Sequence, residues 1–386
     1  MSLSFDNTEV AFRSRTDADL KRSYLLFSLI SNPSWVKTGK WLTETALNLH
    51  LPIKAIIRKT IYKQFVGGED IQDCKTAIEQ LGKYGVGTIL DYSVEGKESD
   101  EDFERTTKET IATVERAAGD ANIPFCVFKV TGLAPFSLLE SYSRGKTEDT
   151  ASWEKVQDRV MRICSYAALK HVPIFIDAEE SWIQAAIDSL ALEMMRRFNK
   201  KECIVYNTYQ MYRHDRLDFL GKNIQTAHQE SFLLGAKLVR GAYMEKERAR
   251  AEKMAYNSPI HSDKEGTDKM FNDALQLCIK NIDIVSICAG THNESSSMLL
   301  ARLMKEHQIK PGDKRIFFSQ LLGMSDHISF NLAGSGYNVA KYVPYGPVKE
   351  VMPYLFRRAQ ENTSVKGQTG RELSLIIKER KRRKQL

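Results

Sequence analysis

"PIFIDAEESWIQAAIDSLALEMMRRF" occupies Pro173–Phe198 and changes character halfway along. Its first part, from Pro173 to Glu179, is a near-continuous apolar run that ends on acids. A strand covered on both faces reads this way, because neither side meets water. Its second part, from Ser181 onward, has the composition of a helix, so the stretch is one strand followed by one helix. Seven more runs of the same kind follow or precede it: Gly87–Tyr92, Pro124–Val130, Cys203–Gln210, Ala236–Tyr243, Asp283–Asn293, Arg315–Gly323 and Val339–Gly346. Most of the segments between them are helical in composition. Eight strands alternating with helices predict a (β/α)8 barrel of the TIM type rather than an open doubly wound sheet.

In such a barrel the chemistry sits at the C-terminal ends of the strands. Those ends carry Asp91 and Glu95, Lys129, Asp177 with Glu179 and Glu180, Asn207 and Gln210, Arg240 to Tyr243, Thr291 to Asn293, Gln320 and Tyr342. Charged groups directly behind buried strands need partners, so a shared polar site is expected there. Lys129, inside "VFKVTG", is rare for a buried strand. It reads as a salt-bridge partner of Glu95 or Asp177, a substrate contact or a Schiff-base amine. Asp177 reads as a helix N-cap or as a carboxylate holding a substrate ammonium. In "LVRGAYMEKER" a glycine lets backbone N–H groups approach a phosphate or flavin ring, and Tyr243 follows it. "AGTHNESS" leads Thr291, His292 and Asn293 into a helix N-terminus suited to an anion. The short "GVG" and "GSG" runs do not complete a dinucleotide-binding fingerprint, and no His/Asp ligand cluster predicts a metal.

A second unusual stretch is "VPYGPVKEVMPYLFRRAQENTSV", Val343–Val365. Neighbouring helix residues point about 100° apart, so one packing face cannot hide both Arg357 and Arg358. Either the pair is solvated surface, or it grips a small carboxylate in bidentate fashion.

Of 386 residues 42% are hydrophobic and 27% charged, ordinary globular composition. No apolar run approaches the roughly 18 residues of a membrane span. The first residues, with Asp6 and Glu9, resemble neither a secretory signal nor an Arg-rich presequence, so a cytoplasmic location is expected. Six scattered cysteines without a CxxC pair predict reduced thiols. The formal charge is +7, but eight Lys/Arg against two Asp/Glu stand from Lys366 onward, so the body is nearly neutral. Nucleic-acid binding is therefore not expected. The basic tail reads as a solvated terminal helix or as a helix resting on anionic lipid at the inner face of the cell membrane. The organisation predicted is an N-terminal helical segment (1–84), the barrel (85–365) and the basic tail (366–386), with Trp35, Trp41, Leu42, Leu47 and Leu49 among the apolar residues of the first part.

"KVTGLAPF", "FIDAEE", "YNTYQMY", "KLVRGAYMEKER", "THN", "QLLGM" and "YVPYGPVKEVMPYLFRRAQENTS", in this order, resemble the proline dehydrogenase family, over roughly three quarters of the chain. The resemblance implies a distorted (β/α)8 barrel that binds FAD without a covalent link. It also implies oxidation of L-proline to Δ1-pyrroline-5-carboxylate by hydride transfer to flavin N5, with electrons passed to a membrane quinone. By the same resemblance Arg357 and Arg358 ion-pair with the proline carboxylate, and Tyr342, Tyr243 and Tyr354 wall the ring beside Glu95. Asp177, Lys129 and Lys237 are the implied catalytic group. Asn207, Gln210, Arg240, Gly241, Ala242, Thr291, His292, Asn293 and Glu361 are the implied cofactor contacts. Two positions depart from many bacterial members: Lys237 stands where arginine is usual, and Asn207 where glutamine is usual. The first keeps the charge but loses the bidentate fork; the second is one methylene shorter, which brings Gln210 into consideration. Two rivals remain, a Schiff-base lyase using Lys129 and a catalytically inactive barrel held at a membrane by its tail.

Overall fold

Each of the eight apolar runs forms a strand, and the eight close on themselves in chain order, all parallel: β1 (Val86–Tyr92), β2 (Phe125–Lys129), β3 (Ile174–Asp177), β4 (Val205–Gln210), β5 (Leu234–Val239), β6 (Val285–Gly290), β7 (Ile316–Leu321) and β8 (Val339–Tyr345). Closure is made by β1 against β8, paired from Val86 with Val339 through Tyr92 with Tyr345. This computed structural model describes residues 3–31, 38–39, 54–93, 98–146, 149–364 and 368–384, with side chains omitted at 360–364, 368 and 369. Trp35, Trp41, Leu42, Leu47, Leu49 and Glu95 lie outside the described residues.

Alternation along the strands sorts their residues between two cores. One set points outward and joins the helix layer, as Val205 and Tyr209 do. The other points into the barrel, where Ile89, Phe125, Val127, Phe175, Tyr206, Cys288, Ala340 and Tyr342 make a separate cluster. Phe125 lies stacked on Phe175 at 4.4 Å between ring centroids, and Phe317 and Tyr206 meet it edge-on at 4.8 and 5.5 Å. The barrel floor is thus solid. Two residues further along, the inward positions become polar: Asp91 follows Ile89, Lys129 follows Val127, Asp177 follows Phe175, and Tyr342 follows Ala340. The floor therefore carries a polar layer at the C-terminal end of the strands.

The surrounding helices begin where short polar side chains satisfy their first N–H groups. Ser99 caps Asp100–Ala117, Asp263 caps Lys264–Lys280 and Asn293 caps Glu294–Glu306, each accepting from the backbone three residues on. A third apolar cluster lies off the barrel. There Leu20 and Phe27 of the helix Asp17–Ile30 and Phe65 pack with Val351 and Leu355, and with Leu375 and Ile376 of the helix Gln368–Lys384. The basic C-terminal helix is therefore packed rather than solvated along its length. Arg383 pairs with Asp17 at 2.9 Å and donates to Phe12 O, while Glu379, fully buried, holds Arg382 and Arg383 at 2.8 Å. Leu25 and Leu29 are not part of this packing: they are 53% and 56% exposed. No helix among the described residues is long and apolar enough to cross a membrane.

Candidate active site

Five side chains from five strands meet above the barrel floor. The Lys129 ammonium lies 3.5 Å from Asp91 Oδ1 and 3.5 Å from Asp177 Oδ2. Lys237 donates to Asp177 Oδ1 and to the Tyr342 hydroxyl, and Tyr342 OH lies 3.4 Å from the same carboxylate oxygen. Lys237 also stands 4.5 Å from the centroid of the Tyr342 ring and 5.5 Å from that of Phe175. Asp177 thus holds a lysine at each oxygen. Burial alone would raise its pKa, but the ammonium charges of Lys237 and Lys129 and their hydrogen bonds outweigh it, and the net shift is downward. Asp177 is a firm carboxylate.

Beside this array lies another acid, whose pKa shifts the opposite way to that of Asp177. Glu179 is buried, and burial pushes its pKa up to about 7 although Thr131 donates to it from its backbone N–H at 3.0 Å and its hydroxyl at 2.5 Å. Gln210 joins this neighbourhood to the β5 loop: its amide donates to Glu179 O at 2.6 Å, and its Oε1 is 3.4 Å from Ala242 N. Asn207 does not reach the mouth. It faces the helix layer, where its amide donates to Asp188 Oδ1 at 2.9 Å, and Arg216 closes that buried pair at 2.6 Å. Of the two amides, only Gln210 is placed over the barrel. Period-2 alternation from Tyr206 would have found this, since Tyr206, Thr208 and Gln210 share a face.

The stretch after β5 is shaped by a close approach. The ladder to β4 continues through Met211 N to Val239 O and Tyr212 N to Arg240 O, bringing Gly241 against the Tyr212 ring. Gly241 has φ +148°, and a Cβ there would lie 2.5 Å from that ring. Arg240 turns outward and uses Nε, Nη1 and Nη2 on Asp268 (2.7 Å), Thr291 (2.6 Å) and Ser296 (2.9 Å), with its guanidinium over Phe271. Tyr243 is partly exposed at the start of the helix Met244–Lys253, with Lys246 over its ring. Asn293 acts as an N-cap. His292 is half-buried with Nδ1 2.9 Å from Ser325 Oγ; desolvation first, then the charges of Lys341 and Arg358, lower its pKa to about 3, so the imidazole is neutral.

The arginine pair lies on the helix Met352–Ser364 as two unlike neighbours. Arg358 is buried, with its guanidinium 5.2 Å from the Tyr354 ring centroid, while Arg357 is half-buried. The Glu361 side chain lies outside the described residues. Asp91 and Glu179, given no individual role in the sequence, belong to the mouth. Both were visible as polar strand ends, and the inward register of β1 was the signal for the first.

The residues present suit a flavin. They offer an ammonium at Lys237, an amide at Gln210, and a neutral imidazole beside the N-terminus of a helix. The family model described as proline dehydrogenase matches residues 74–371. The carbapenem antibiotics biosynthesis protein CarD of Pectobacterium carotovorum subsp. carotovorum is 34% identical over 322 residues, covering 83% of each chain. The mitochondrial proline dehydrogenase 1 of Dictyostelium discoideum is 32% identical over 387 residues, covering 87% of this chain and 67% of that one. In fold, proline utilization A from Bdellovibrio bacteriovorus, inactivated by N-propargylglycine, superposes with a TM-score of 0.75 at 18% identity; 92% of this chain is covered but only 38% of that one. A family match over most of the chain, a relative above 30% identity covered through two thirds of its length, and a closed eight-stranded barrel agree: the chain belongs to the proline dehydrogenase family.

Proposed function

We propose that the chain oxidises L-proline to Δ1-pyrroline-5-carboxylate with FAD as cofactor and passes the electrons to a membrane quinone. The observation that carries this reading is the convergence of Asp91, Lys129, Asp177, Lys237 and Tyr342 above a closed aromatic floor. FAD, when bound, supplies the acceptor for the hydride leaving the proline ring carbon. Lys237, Gln210, the backbone at Gly241 and Ala242, and the Thr291–His292–Asn293 segment would hold it, with Arg240 supporting Thr291 from behind and Glu361 a further contact.

The chain's own residues do the binding and orienting. Arg357 and Arg358 take the proline carboxylate, and Tyr342, Tyr354 and Tyr243 confine the ring, with Glu95 alongside. Lys129 and Lys237 keep Asp177 ionised, so Asp177 orients the ring nitrogen rather than storing its proton. Burial pushes the Glu179 pKa up to about 7. This carboxyl suits the task of receiving the proton that the ring nitrogen must lose. For the membrane side, Lys381 and Lys384 are exposed at the end of the C-terminal helix. They are the contact proposed for an anionic bilayer at the inner face of the cell membrane, with the chain otherwise cytoplasmic. Lys129 stands between two carboxylates as an ion-pair partner, and nothing in that arrangement favours a Schiff-base lyase.

The test is the visible spectrum of the purified chain before and after anaerobic L-proline. Flavin bands that bleach with proline are expected. A yellow protein that ignores proline would overturn the substrate, and a colourless protein that FAD cannot reconstitute would overturn the cofactor.

A further inference from the structure

In the helix Gln368–Lys384, which as sequence is only a basic tail, two residues of the first turns reach the segments on either side of His292. Arg371 donates from Nε and Nη2 to the Glu294 carboxylate at 2.8 and 3.3 Å. Glu294 opens the helix that directly follows His292 and Asn293, and His327 Nε2 lies 3.0 Å from the same carboxylate. Glu372, buried, accepts a hydrogen bond from the backbone N–H of Ser325. Ser325 is itself fully buried in the left-handed region, φ +52° and ψ +40°, where a residue with a Cβ stays only if its surroundings hold it. Its hydroxyl lies 2.9 Å from His292 Nδ1. Adjacent residues of one helical turn therefore grip both segments that flank His292, the one after β6 through Glu294 and the one after β7 through Ser325.

We propose that Glu372 and Ser325 are positioning residues for the cofactor: the C-terminal helix sets the orientation and tautomer of His292 through the chain Glu372, Ser325 backbone, Ser325 hydroxyl, His292 Nδ1. The cofactor side of this inference rests on the flavin reading above. The physical basis is that a neutral imidazole has two unlike nitrogens, and the hydrogen bond at one decides what the other presents. Fixing Ser325 in the left-handed region fixes where its hydroxyl points. A carboxylate on its N–H is a strong, directional way of doing so. The Arg371–Glu294 pair holds the other wall at the same time, so the imidazole is gripped from two loops that no strand ladder joins at this point.

The experiment uses the full-length chain labelled with 15N-histidine, with the His292 signals assigned by His292→Gln and the tautomer read from long-range 1H–15N correlations. In the parent chain a single neutral tautomer is expected. Ser325→Ala and Glu372→Ala are expected to convert it to a mixture. They are also expected to weaken FAD binding by about tenfold, the effect of losing one such hydrogen bond. Glu372→Gln retains an acceptor oxygen and is expected to restore both readouts. Arg383→Ala, which loosens the far end of the same helix, is expected to lower thermal stability while leaving His292 and FAD affinity unchanged. If Glu372→Ala behaves as Arg383→Ala does, destabilised but with His292 unmoved, the helix is only packed and the proposal falls. If the parent chain takes up no flavin, the cofactor reading fails by itself, and the His292 tautomer still decides the positioning claim.

Discussion

Lys237 shows how much a single side chain carries at this mouth. It is buried, it is held by Asp177 and Tyr342, and its removal would leave Asp177 with Lys129 as the nearer compensating charge. Breaking a buried pair from one side costs several kcal/mol because the remaining charge stays desolvated. Lys237→Met should therefore destabilise the chain by about 3 kcal/mol in urea at pH 7, and Asp177→Asn added to it should recover most of that. Asp177 has its folded pKa below the ordinary value, so its contribution is present above that value and is lost as pH falls through the folded one. In Lys237→Met the depression should be smaller, so less stability should be lost on acidification. Glu179 has the opposite sign. Its pKa rises from 4.5 to about 7 on folding, so the folded state holds a proton the unfolded state lacks, and its contribution declines as pH rises through that window. Urea titrations at pH 5, 6, 7 and 8 should show the parent chain losing up to roughly 3 kcal/mol relative to Glu179→Gln across it; parallel curves would refute the shift. Residue types were legible in the sequence and directions were not always so. "NTYQ" offers two amides, and only the register of β4 separates Asn207, bound to Asp188, from Gln210 at the mouth. The partner of Lys129 was open between Glu95 and Asp177, and a third acid, Asp91, proved to be in contact as well.

At the scale of elements, the strands were readable because a parallel barrel buries both faces, which removes the polar alternation a half-exposed antiparallel strand would show. The reading ran past the true ends at Tyr243 and Asn293, where the chain leaves β5 and β6 yet stays rich in site residues. Helix-to-loop contacts were invisible to it, since they join distant segments through single polar atoms. The helix Met244–Lys253 is the clearest case. Glu247, fully buried, accepts from Ser181 N and Ser181 Oγ at 2.6 Å each. Lys246 meets Glu180 at 2.5 Å, and Arg250 pairs with Glu140 while its guanidinium lies 4.4 Å from the Trp182 ring centroid. This helix therefore fastens the loop after β3 to the loop after β5, the two that carry Glu179 and Gly241 with Ala242. Glu247→Ala deletes the central fastening and leaves the half-buried Ser181 N–H without its acceptor, a loss of about 2 kcal/mol. The amides of residues 178–183 should exchange with solvent markedly faster in that variant, while those of β7 and β8 keep their protection. Equal loosening of all strands would show that Glu247 serves global stability instead.

At the scale of the molecule, the N-terminal segment and the C-terminal helix close on the same βα unit, around an ion pair inside the fold. Lys341 on β8 is 0% exposed and faces away from the barrel lumen. Its ammonium lies 2.8 Å from Asp326 Oδ1 and donates to Met324 O at 2.6 Å. Asp326 also receives Arg15 of the N-terminal segment at 2.9 Å, and Arg383 of the C-terminal helix donates to Arg15 O. Burial lowers the Lys341 pKa and the Asp326 charge opposes that; burial would raise Asp326, yet Arg15 and Lys341 bring it down to about 2. Each ion is thus kept charged by the other. Asp326→Asn removes the carboxylate and strands the ammonium, which should cost about 3–5 kcal/mol at pH 7. The deficit should also depend on pH in a definite direction. Without Asp326 the folded pKa of Lys341 falls further, while in the unfolded chain it returns to its ordinary value. Between those two values the unfolded state binds the extra proton, so stability rises with pH. Denaturant unfolding at pH 7, 8.5 and 10 should therefore show the Asp326→Asn deficit shrinking as pH rises, and Asp326→Asn with Lys341→Met should recover most of it already at pH 7. A deficit that stays constant with pH would mean the variant loses packing around Arg15 rather than compensation of a buried charge.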